Sequence, residues 1–374
     1  MPYRAPNSPG HSAQQFLSGK PIRHYRPKGS PEIRRLVDEG FQAFNAGRLS
    51  EACEIFSDKM LDPAHDTTIG LTVAGALTPA GLGGCVIEMM DRGLVDFIIS
   101  TGANLYHDLH YALNFTLRRG SPFVNDVELY EDGVIRIYDV LFPATVLLET
   151  DAYIRDFIVR SGLNEPIATS EFHYRLGGHL WDTTERDGIL TAAYRANVPI
   201  FCPAIADSSI GMGLSQARQK KAGAGFIDII GDIVESANLI IRRPRTASVV
   251  LGGGTPKNFI NQACVQAEFY SPEVGGHRFA LQIVTDVPHF GGASGSSLEE
   301  AQSWGKLATD AARVSVQADA TVALPILASA LATTAPPLLA LRKMPVFSLA
   351  SRVMTIDGLS VPTDRFEDVN EPAV

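Results

Sequence analysis

The stretch 67–100, TTIGLTVAGALTPAGLGGCVIEMMDRGLVDFIIS, has the pattern of a strand, a helix and a second strand. The short apolar runs at 68–74 and 96–100 each indicate a buried strand. Between them, residues 75–78 predict a tight loop, and residues 79–92 predict a helix with proline at its first position. A βαβ unit of this length is the basic piece of a doubly wound sheet with right-handed crossovers. We therefore expect a Rossmann-like α/β fold with a mostly parallel sheet and helices on both faces.

The composition is that of a globular protein with a large core. The chain has 374 residues, of which 45% are hydrophobic, and its formal net charge is −9. Net negative charge argues against nucleic acid as a partner. There is no run of about 18 apolar residues and no secretory signal pattern, so we expect no membrane partner and a cytoplasmic location. The four cysteines and nine histidines lack ligand spacing, so we expect reduced thiols and no metal site.

The sequence pattern divides the chain into three parts. Residues 1–30 are rich in proline and poor in apolar residues, which predicts a mobile N-terminal arm. Residues 31–335 are expected to form one α/β domain, and residues 336–374 a C-terminal extension that is partly disordered. The domain begins with a helical extension, a pair of helices over residues 31–60 separated at Gly47. Further strands are predicted at 199–202, 225–230, 248–251, 279–284 and 314–318.

A run of three glycines follows one of these predicted strands. Gly252 to Gly254 let the backbone approach a ligand closely, and Thr255 and Pro256 are predicted as the N-cap and first residue of a helix. A helix start offers free N–H groups and partial positive charge to a phosphate, although a plain tight turn fits the pattern as well. Similar loops at 75–84 and 101–104 also follow strands, and three such loops favour a dinucleotide over a single phosphate.

Two lone acids, Asp207 and Asp319, also stand just after predicted strands. Each fits two interpretations, which the residues alone leave open. The side chain could cap the following helix, or its carboxylate could bind a ribose hydroxyl at the sheet edge.

The segment 296–320, SSLEEAQSWGKLATDAARVSVQADA, predicts a helix followed by a short buried strand at 314–318. Ser297, followed three residues later by an acid, is a capping-box pattern that predicts a helix from Leu298. On that helix Lys306 would lie away from the apolar face. Spacing alone is therefore typical of a solvated surface lysine.

Motifs along the chain resemble, in the same order, those of the deoxyhypusine synthase family. They cover residues 41–332, about three quarters of the chain, and comprise Thr78-Pro79-Ala80-Gly81, Ser100-Thr101-Gly102, Pro203-Ala204 with Asp207, the glycine run with Lys257, and Ser303-Trp304-Gly305-Lys306 followed by Ala318-Asp319-Ala320. The resemblance implies an NAD-dependent aminoalkyl transferase, with Lys306 as a covalent imine carrier and Trp304 lining the amine pocket. It places the NAD contacts on Thr101, Asp207, Gly252, Gly253, Thr285, Asp319 and Ala320.

The amine pocket departs from the family pattern. Acidic side chains bind the substrate ammonium groups in the family, whereas this chain has His107, Met212 and Ala293 at those positions. Asn258 and Gln262 replace a histidine and an asparagine. Each lost charge-assisted hydrogen bond is worth about 1.5–3 kcal/mol. We therefore expect an amine donor or acceptor other than the usual one.

The implied chemistry leaves the acceptor open. A lysine nucleophile must be unprotonated, and desolvation beside Trp304 would favour that form of Lys306. The acceptor is either a small amine or polyamine, or a lysine of another protein. Two alternatives are a homospermidine synthase-type enzyme, which uses putrescine as acceptor, and an NAD-binding homologue without catalysis. The resemblance also implies a homotetramer.

Overall fold

The computed structural model describes residues 11–19, 21, 23–24, 26–221, 224–292, 296–349 and 354–360. In chain order, the first nine strands are β1 (Thr67–Val73), β2 (Phe97–Ser100), β3 (Arg118–Arg119), β4 (Val134–Ile137), β5 (Val140–Pro143), β6 (Ile200–Phe201), β7 (Arg245–Leu251), β8 (His277–Val284) and β9 (Leu307–Gln317). Six of them form a parallel sheet in the order β6-β2-β1-β7-β8-β9, and β3-β5-β4 form a separate antiparallel sheet.

Helices connect these strands and cover the parallel sheet. They are α1 (His11–Phe16), α2 (Pro31–Arg35), α3 (Phe44–Glu54), α4 (Gly83–Asp91), α5 (Gly102–Ala112), α6 (Asp126–Glu131), α7 (Ala144–Arg160), α8 (Thr169–Thr184), α9 (Ile189–Ala196), α10 (Ser209–Lys220), α11 (Ile229–Arg242), α12 (Gly254–Tyr270), α13 (Glu300–Ser303), α14 (Ala320–Thr334) and α15 (Pro336–Leu339). Helices α2 and α3 continue as π-helical turns over Leu36–Gly40 and Ile55–Met60. In the part of the chain that the structure describes, no helix is long and apolar enough to cross a membrane.

The core lies on both faces of the parallel sheet. Alternation along β2 sends Ile98 to the larger hydrophobic cluster, which also contains side chains of α4, α5 and α14. Its neighbours Phe97 and Ile99 point to the opposite face and pack with side chains of α11 and α12. The predicted α/β fold with helices on both faces is therefore confirmed.

The predicted βαβ unit is present with a shorter helix. Strands β1 and β2 pair in parallel, and α4 connects them. The helix begins at Gly83 rather than at Pro79, so the prediction of proline at its first position was wrong. Gly81 has a φ of +83°, which lies outside the helical region, and the chain therefore forms turns before the helix starts.

Two further sequence predictions fail for local reasons. Gly47 lies inside α3, and the separation between the first two helical segments falls at residues 41–43. Residues 225–230 do not form a strand, because Asp228 caps α11. Its carboxylate accepts hydrogen bonds from the N–H groups of Ile230 (3.0 Å) and Gly231 (2.9 Å).

The C-terminal segment is tied to the sheet by a buried ion pair. The side chains of Arg342 and Asp96 are each 2% exposed and form an ion pair. The same guanidinium donates to the carbonyls of Gly93 (2.7 Å) and Thr67 (2.8 Å). Beyond it, β10 (Phe347–Ser348), β11 (Thr355–Ile356) and β12 (Leu359–Ser360) form a small antiparallel sheet.

The division of the chain at residues 30 and 335 stays a prediction. In the proposed arm, Arg26 donates to Asp187 (2.9 Å) and pairs with Asp91. Residues 1–10 of that arm, and residues 361–374 of the proposed extension, lie outside the described residues.

Candidate functional site

The carboxyl ends of the parallel strands form a single edge of the sheet. Hydrogen bonds keep the strand ends level: the Gly252 N–H donates to the Ile283 carbonyl (2.8 Å), and the Ala318 N–H donates to the Val284 carbonyl (3.1 Å). Ligand sites of open α/β sheets lie at this edge. The residues predicted to contact a dinucleotide follow these strand ends, and they are Thr101, Asp207, Gly252, Gly253, Thr285, Asp319 and Ala320.

The glycine run forms the turn between β7 and α12. Gly252 and Gly254 have φ angles of +78° and +62°, in the left-handed region that favours glycine. Helix α12 begins at Gly254 with Gly253 as its N-cap. The predicted N-cap at Thr255 was therefore wrong by two residues, because the third glycine already belongs to the helix. A 17-residue helix thus directs its N-terminus at the sheet edge.

The two acids at the edge have different structural roles. Asp319 is the N-cap of α14 and accepts a hydrogen bond from the Thr321 N–H (2.7 Å). Asp207 is exposed and does not cap α10, because Ser208 takes that position and accepts from the Gly211 N–H (3.3 Å). The capping interpretation therefore holds for Asp319 and was wrong for Asp207.

Asn104 joins two of the predicted loops. Its amide nitrogen donates to the carbonyl of Gly75 (2.6 Å) and to the hydroxyl of Thr101 (2.9 Å). Its amide oxygen faces the N–H of Thr78 (3.2 Å). The sequence analysis gave this residue no role, although it lies within the loop pattern at 101–104. Asn104 fixes the position of the loops after β1 and β2 relative to each other.

Lys306 was predicted to lie on a helix, but it lies in the turn that follows one. Helix α13 ends at Ser303, and Gly305 follows with a φ of +70°. The Lys306 N–H donates to the Ala301 carbonyl (3.0 Å), and the Gly305 N–H donates to the Gln302 carbonyl (3.2 Å). This pair of bonds is a Schellman motif, which terminates a helix at a left-handed glycine. The Ser297 hydroxyl accepts from the Glu300 N–H (3.1 Å), but α13 begins at Glu300 with Glu299 as its N-cap, so the predicted helix start at Leu298 was wrong by two residues.

The turn buries the Lys306 side chain beside an aromatic ring and a second lysine. Lys306 is only 5% exposed, so the interpretation as a solvated surface lysine was wrong. Its Nζ lies 5.2 Å from the centroid of the Trp304 ring, which is itself 60% exposed. Lys257, fully buried in the first turns of α12, donates from Nζ to the Ser296 carbonyl. Burial, and then the charge of Lys306, lower the pKa of Lys257 to about 8.

The predicted amine-pocket residues fall into two groups within one chain. Asn258 and Gln262 are exposed on α12 near Lys257. His107 lies on α5, partly exposed, and Met212 is 42% exposed on α10, which packs against α5. The sheet order places α5 and α10 after β2 and β6, on the opposite flank from β8 and β9. Ala293, the fifth predicted position, lies outside the described residues.

Comparison with known proteins identifies the family. The family model of deoxyhypusine synthase matches residues 37–331. The chain belongs to the deoxyhypusine synthase family. A deoxyhypusine synthase-like protein of Thermosynechococcus vestitus is 39% identical over 311 residues, which are 79% of this chain and 77% of the relative. A protein of Methanosarcina acetivorans described as probable deoxyhypusine synthase 2 is 41% identical over 297 residues, 79% of this chain and 84% of the relative.

The fold of this deoxyhypusine synthase family member is also found in a solved structure. A protein from Entamoeba histolytica assigned as a deoxyhypusine synthase superposes with a TM-score of 0.55 and 20% identity, over 81% of this chain and 92% of that chain. At this identity the likeness shows the fold. The deoxyhypusine synthase family is a family of transferases, so this chain has the sequence and the fold of a transferase.

Proposed function

We propose that this protein is an NAD-dependent aminoalkyl transferase in which Lys306 carries the alkyl group as an enzyme imine. The observation that carries the proposal is the burial of Lys306, at 5% exposure, beside Trp304 and Lys257. Burial holds Nζ of Lys306 in place beside the Trp304 ring and out of bulk water, as a covalent carrier of an alkyl group requires. In this family, a lysine at this position serves as the covalent carrier, a role that a purely structural lysine does not have.

The carboxyl edge of the sheet fits the proposed cofactor. The left-handed Gly252 and Gly254 bring the main chain close to a ligand, and the N-terminus of α12 offers partial positive charge to a pyrophosphate. Asp207 and Asp319 supply carboxylates for ribose hydroxyls, and Thr101, Gly253, Thr285 and Ala320 lie along the same edge. When bound there, NAD would supply the acceptor and later the donor of a hydride.

Lys306 would perform the transfer itself. Its unprotonated Nζ attacks the carbon of an oxidised substrate, a C=N group, and the leaving amine departs with the electron pair of its C–N bond and a proton. The alkyl group then stays on Nζ as an imine. The acceptor amine attacks the same carbon and displaces Lys306, which returns to its free form. The apolar face of Trp304 would line the path of the alkyl chain, and exclusion of water would protect the imine from hydrolysis.

The residues of the proposed amine pocket favour an amine substrate that differs from the usual one of the family. His107, Met212 and Ala293 stand at the positions where the family has ammonium-binding carboxylates, and Asn258 and Gln262 replace a histidine and an asparagine. Loss of two charge-assisted hydrogen bonds would weaken binding of a polyamine about a hundredfold. We therefore propose that the donor or the acceptor differs from that of a standard deoxyhypusine synthase.

We also propose that a second copy of the chain completes the site. The six strands place Asp207 after one edge strand and Asp319 after the other, so about five strand spacings, or about 24 Å, separate the two strand ends. Two carboxylates so far apart do not serve one ribose. A homotetramer built from symmetric pairs would bring the Asp207 flank of one copy to the Lys306 flank of its neighbour.

Covalent trapping tests the proposed function. The full chain is incubated with NAD and spermidine, putrescine or agmatine, then treated with borohydride and measured by intact-mass spectrometry. We expect an adduct on the wild type that is absent from Lys306→Arg, and its mass identifies the donated group. Lys220→Arg, at an exposed lysine of α10, is the matched control and should keep the adduct.

Absence of an adduct with every amine, combined with measurable NAD binding, would contradict the transferase proposal and favour a cofactor-binding homologue without catalysis. An adduct that free putrescine displaces, and that no protein lysine accepts, would instead favour a homospermidine synthase-type reaction.

A further inference from the structure

A chain of hydrogen bonds connects α7 to the partly exposed His107 on α5. The hydroxyl of Thr150 donates to the carbonyl of Val146 (2.7 Å). Since a hydroxyl carries a single proton, its oxygen must accept from Nδ1 of His110, which lies 3.0 Å away. His110 therefore carries a proton on Nδ1.

The same reasoning fixes the tautomer of His107. Burial, and then the neighbouring His107, lower the pKa of His110 to about 3, and burial lowers the pKa of His107 to about 4. Both rings are thus neutral at pH 7. A neutral His110 with its proton on Nδ1 has a bare Nε2, which accepts from Nδ1 of His107 at 3.1 Å. The Nε2 atom of His107 is consequently an unprotonated acceptor.

His107 lies in the second turn of α5, which starts at the carboxyl edge of the sheet. Helix α5 starts at Gly102, directly after β2, and the exposed Ala103 lies four residues, about 6 Å, before His107 on the same helix face. A Cβ atom on Gly102 would come within 2.5 Å of the Ser208 side chain, which caps α10. The two helices therefore run side by side from the edge, and Met212 lies about one turn into α10.

We propose that Nε2 of His107 accepts a hydrogen bond from an N–H group of the amine substrate, and that His110 and Thr150 are positioning residues that hold this tautomer. The inference rests on the proposed function and specifies how its pocket selects amines. A neutral imidazole recognises the direction of an N–H bond, whereas a carboxylate at this position would attract any cation. The pocket wall on α5 therefore selects its substrate by geometry rather than by charge.

The first test compares three forms of the full chain in the borohydride assay, with putrescine and spermidine as probes. His107→Phe keeps a ring and removes the acceptor, and it should raise the amine concentration for half-maximal adduct formation about tenfold. His107→Gln keeps an acceptor and should stay within about threefold of the wild type. At saturating amine, both variants should still form the adduct on Lys306. An unchanged half-maximal concentration in His107→Phe would overturn the inference.

The second test reads the tautomer directly and does not depend on turnover. Nitrogen NMR of the chain labelled with ¹⁵N-histidine, assigned with His107→Phe, should show a neutral His107 with its proton on Nδ1 at pH 7. Putrescine or spermidine should shift the Nε2 signal of His107. Thr150→Val should remove the Nδ1–H tautomer of His110, and Thr150→Ser should retain it.

Either a proton on Nε2 of His107, or an Nε2 signal that neither amine moves, would overturn the inference. A wild type that forms no adduct would refute the transferase function alone, because the NMR result still decides whether His107 binds amines.

Discussion

The chemistry and the stability of this protein depend on single ionisable side chains that are poorly solvated. Lys306 and Lys257 share one buried region next to the turn at Gly305. Arg342 and Asp96 are buried together at the start of β2. Removal of water strengthens every charge interaction at such positions, so one substitution there has a larger effect than a substitution on the surface.

The Arg342 pair gives a test of stability at the residue scale. Arg342→Ala leaves Asp96 buried without its cation, and we expect a loss of about 3–5 kcal/mol in the free energy of unfolding. Chemical denaturation followed by circular dichroism measures it. Arg278 pairs with Asp310 at the surface, where the two side chains are 42% and 64% exposed. Arg278→Ala should cost less than about 1 kcal/mol. Equal losses in the two variants would contradict the expected effect of burial.

At the scale of elements, the turn after α13 determines where the nucleophile lies. Gly305 has a φ of +70°, and a Cβ atom there would lie 3.1 Å from a carboxylate oxygen of Glu268. Gly305→Ala should therefore destabilise the protein by about 1–2 kcal/mol. It should also slow adduct formation on Lys306 about tenfold or more, because the attacking nitrogen moves.

Gly275→Ala is the matched control for this turn, since a Cβ atom at Gly275 meets nothing within 4 Å. Its effect on the melting temperature and on the rate of adduct formation should be small. If Gly305→Ala behaved like Gly275→Ala in both measurements, the turn would not position Lys306.

The elements show what sequence patterns can predict. The apolar run of β1 and the periodicity of α4 are local signals, and the sequence analysis located both. The helix expected from Leu298 is short and ends at Ser303, because a single left-handed glycine, Gly305, terminates it despite the favourable apolar spacing. Residues 225–230 looked like a strand because Asp228 was not recognised as an N-cap.

The candidate site likewise contains residues that the sequence could locate and residues that it could not. Motif resemblance located Lys306 and the edge residues, since these depend on residue identity at fixed spacing. The burial of Lys257 and the link from Thr150 to His107 depend on packing between helices that are distant in sequence, and no local pattern contains that information.

At the scale of the whole molecule, the sheet order separates the two halves of the proposed site. Lys306 and Asp207 belong to opposite flanks of one chain. If a second copy completes the site, Lys306→Arg and Asp207→Asn inactivate different halves of it. Mixing the two inactive variants under conditions that allow subunit exchange should restore about a quarter of the wild-type adduct yield. Native mass spectrometry should show the mixed oligomers.

Separately refolded variants that are not allowed to exchange provide the control for this experiment. Mixed oligomers that form without any recovery of adduct would contradict a site shared between copies.

The turn that holds Lys306 also bears on how the protein can diverge. Main-chain hydrogen bonds within residues 301–306 fix the nucleophile, whereas His107, Met212 and Asn258 lie on three other helices. Mutations in those helices can change which amine substrate binds, while the Lys306 amine keeps its position. Catalysis and substrate selectivity therefore depend on different segments of the chain and can evolve separately. A library of variants randomised on α5, α10 and α12 would test new amine substrates without changing the turn that holds Lys306.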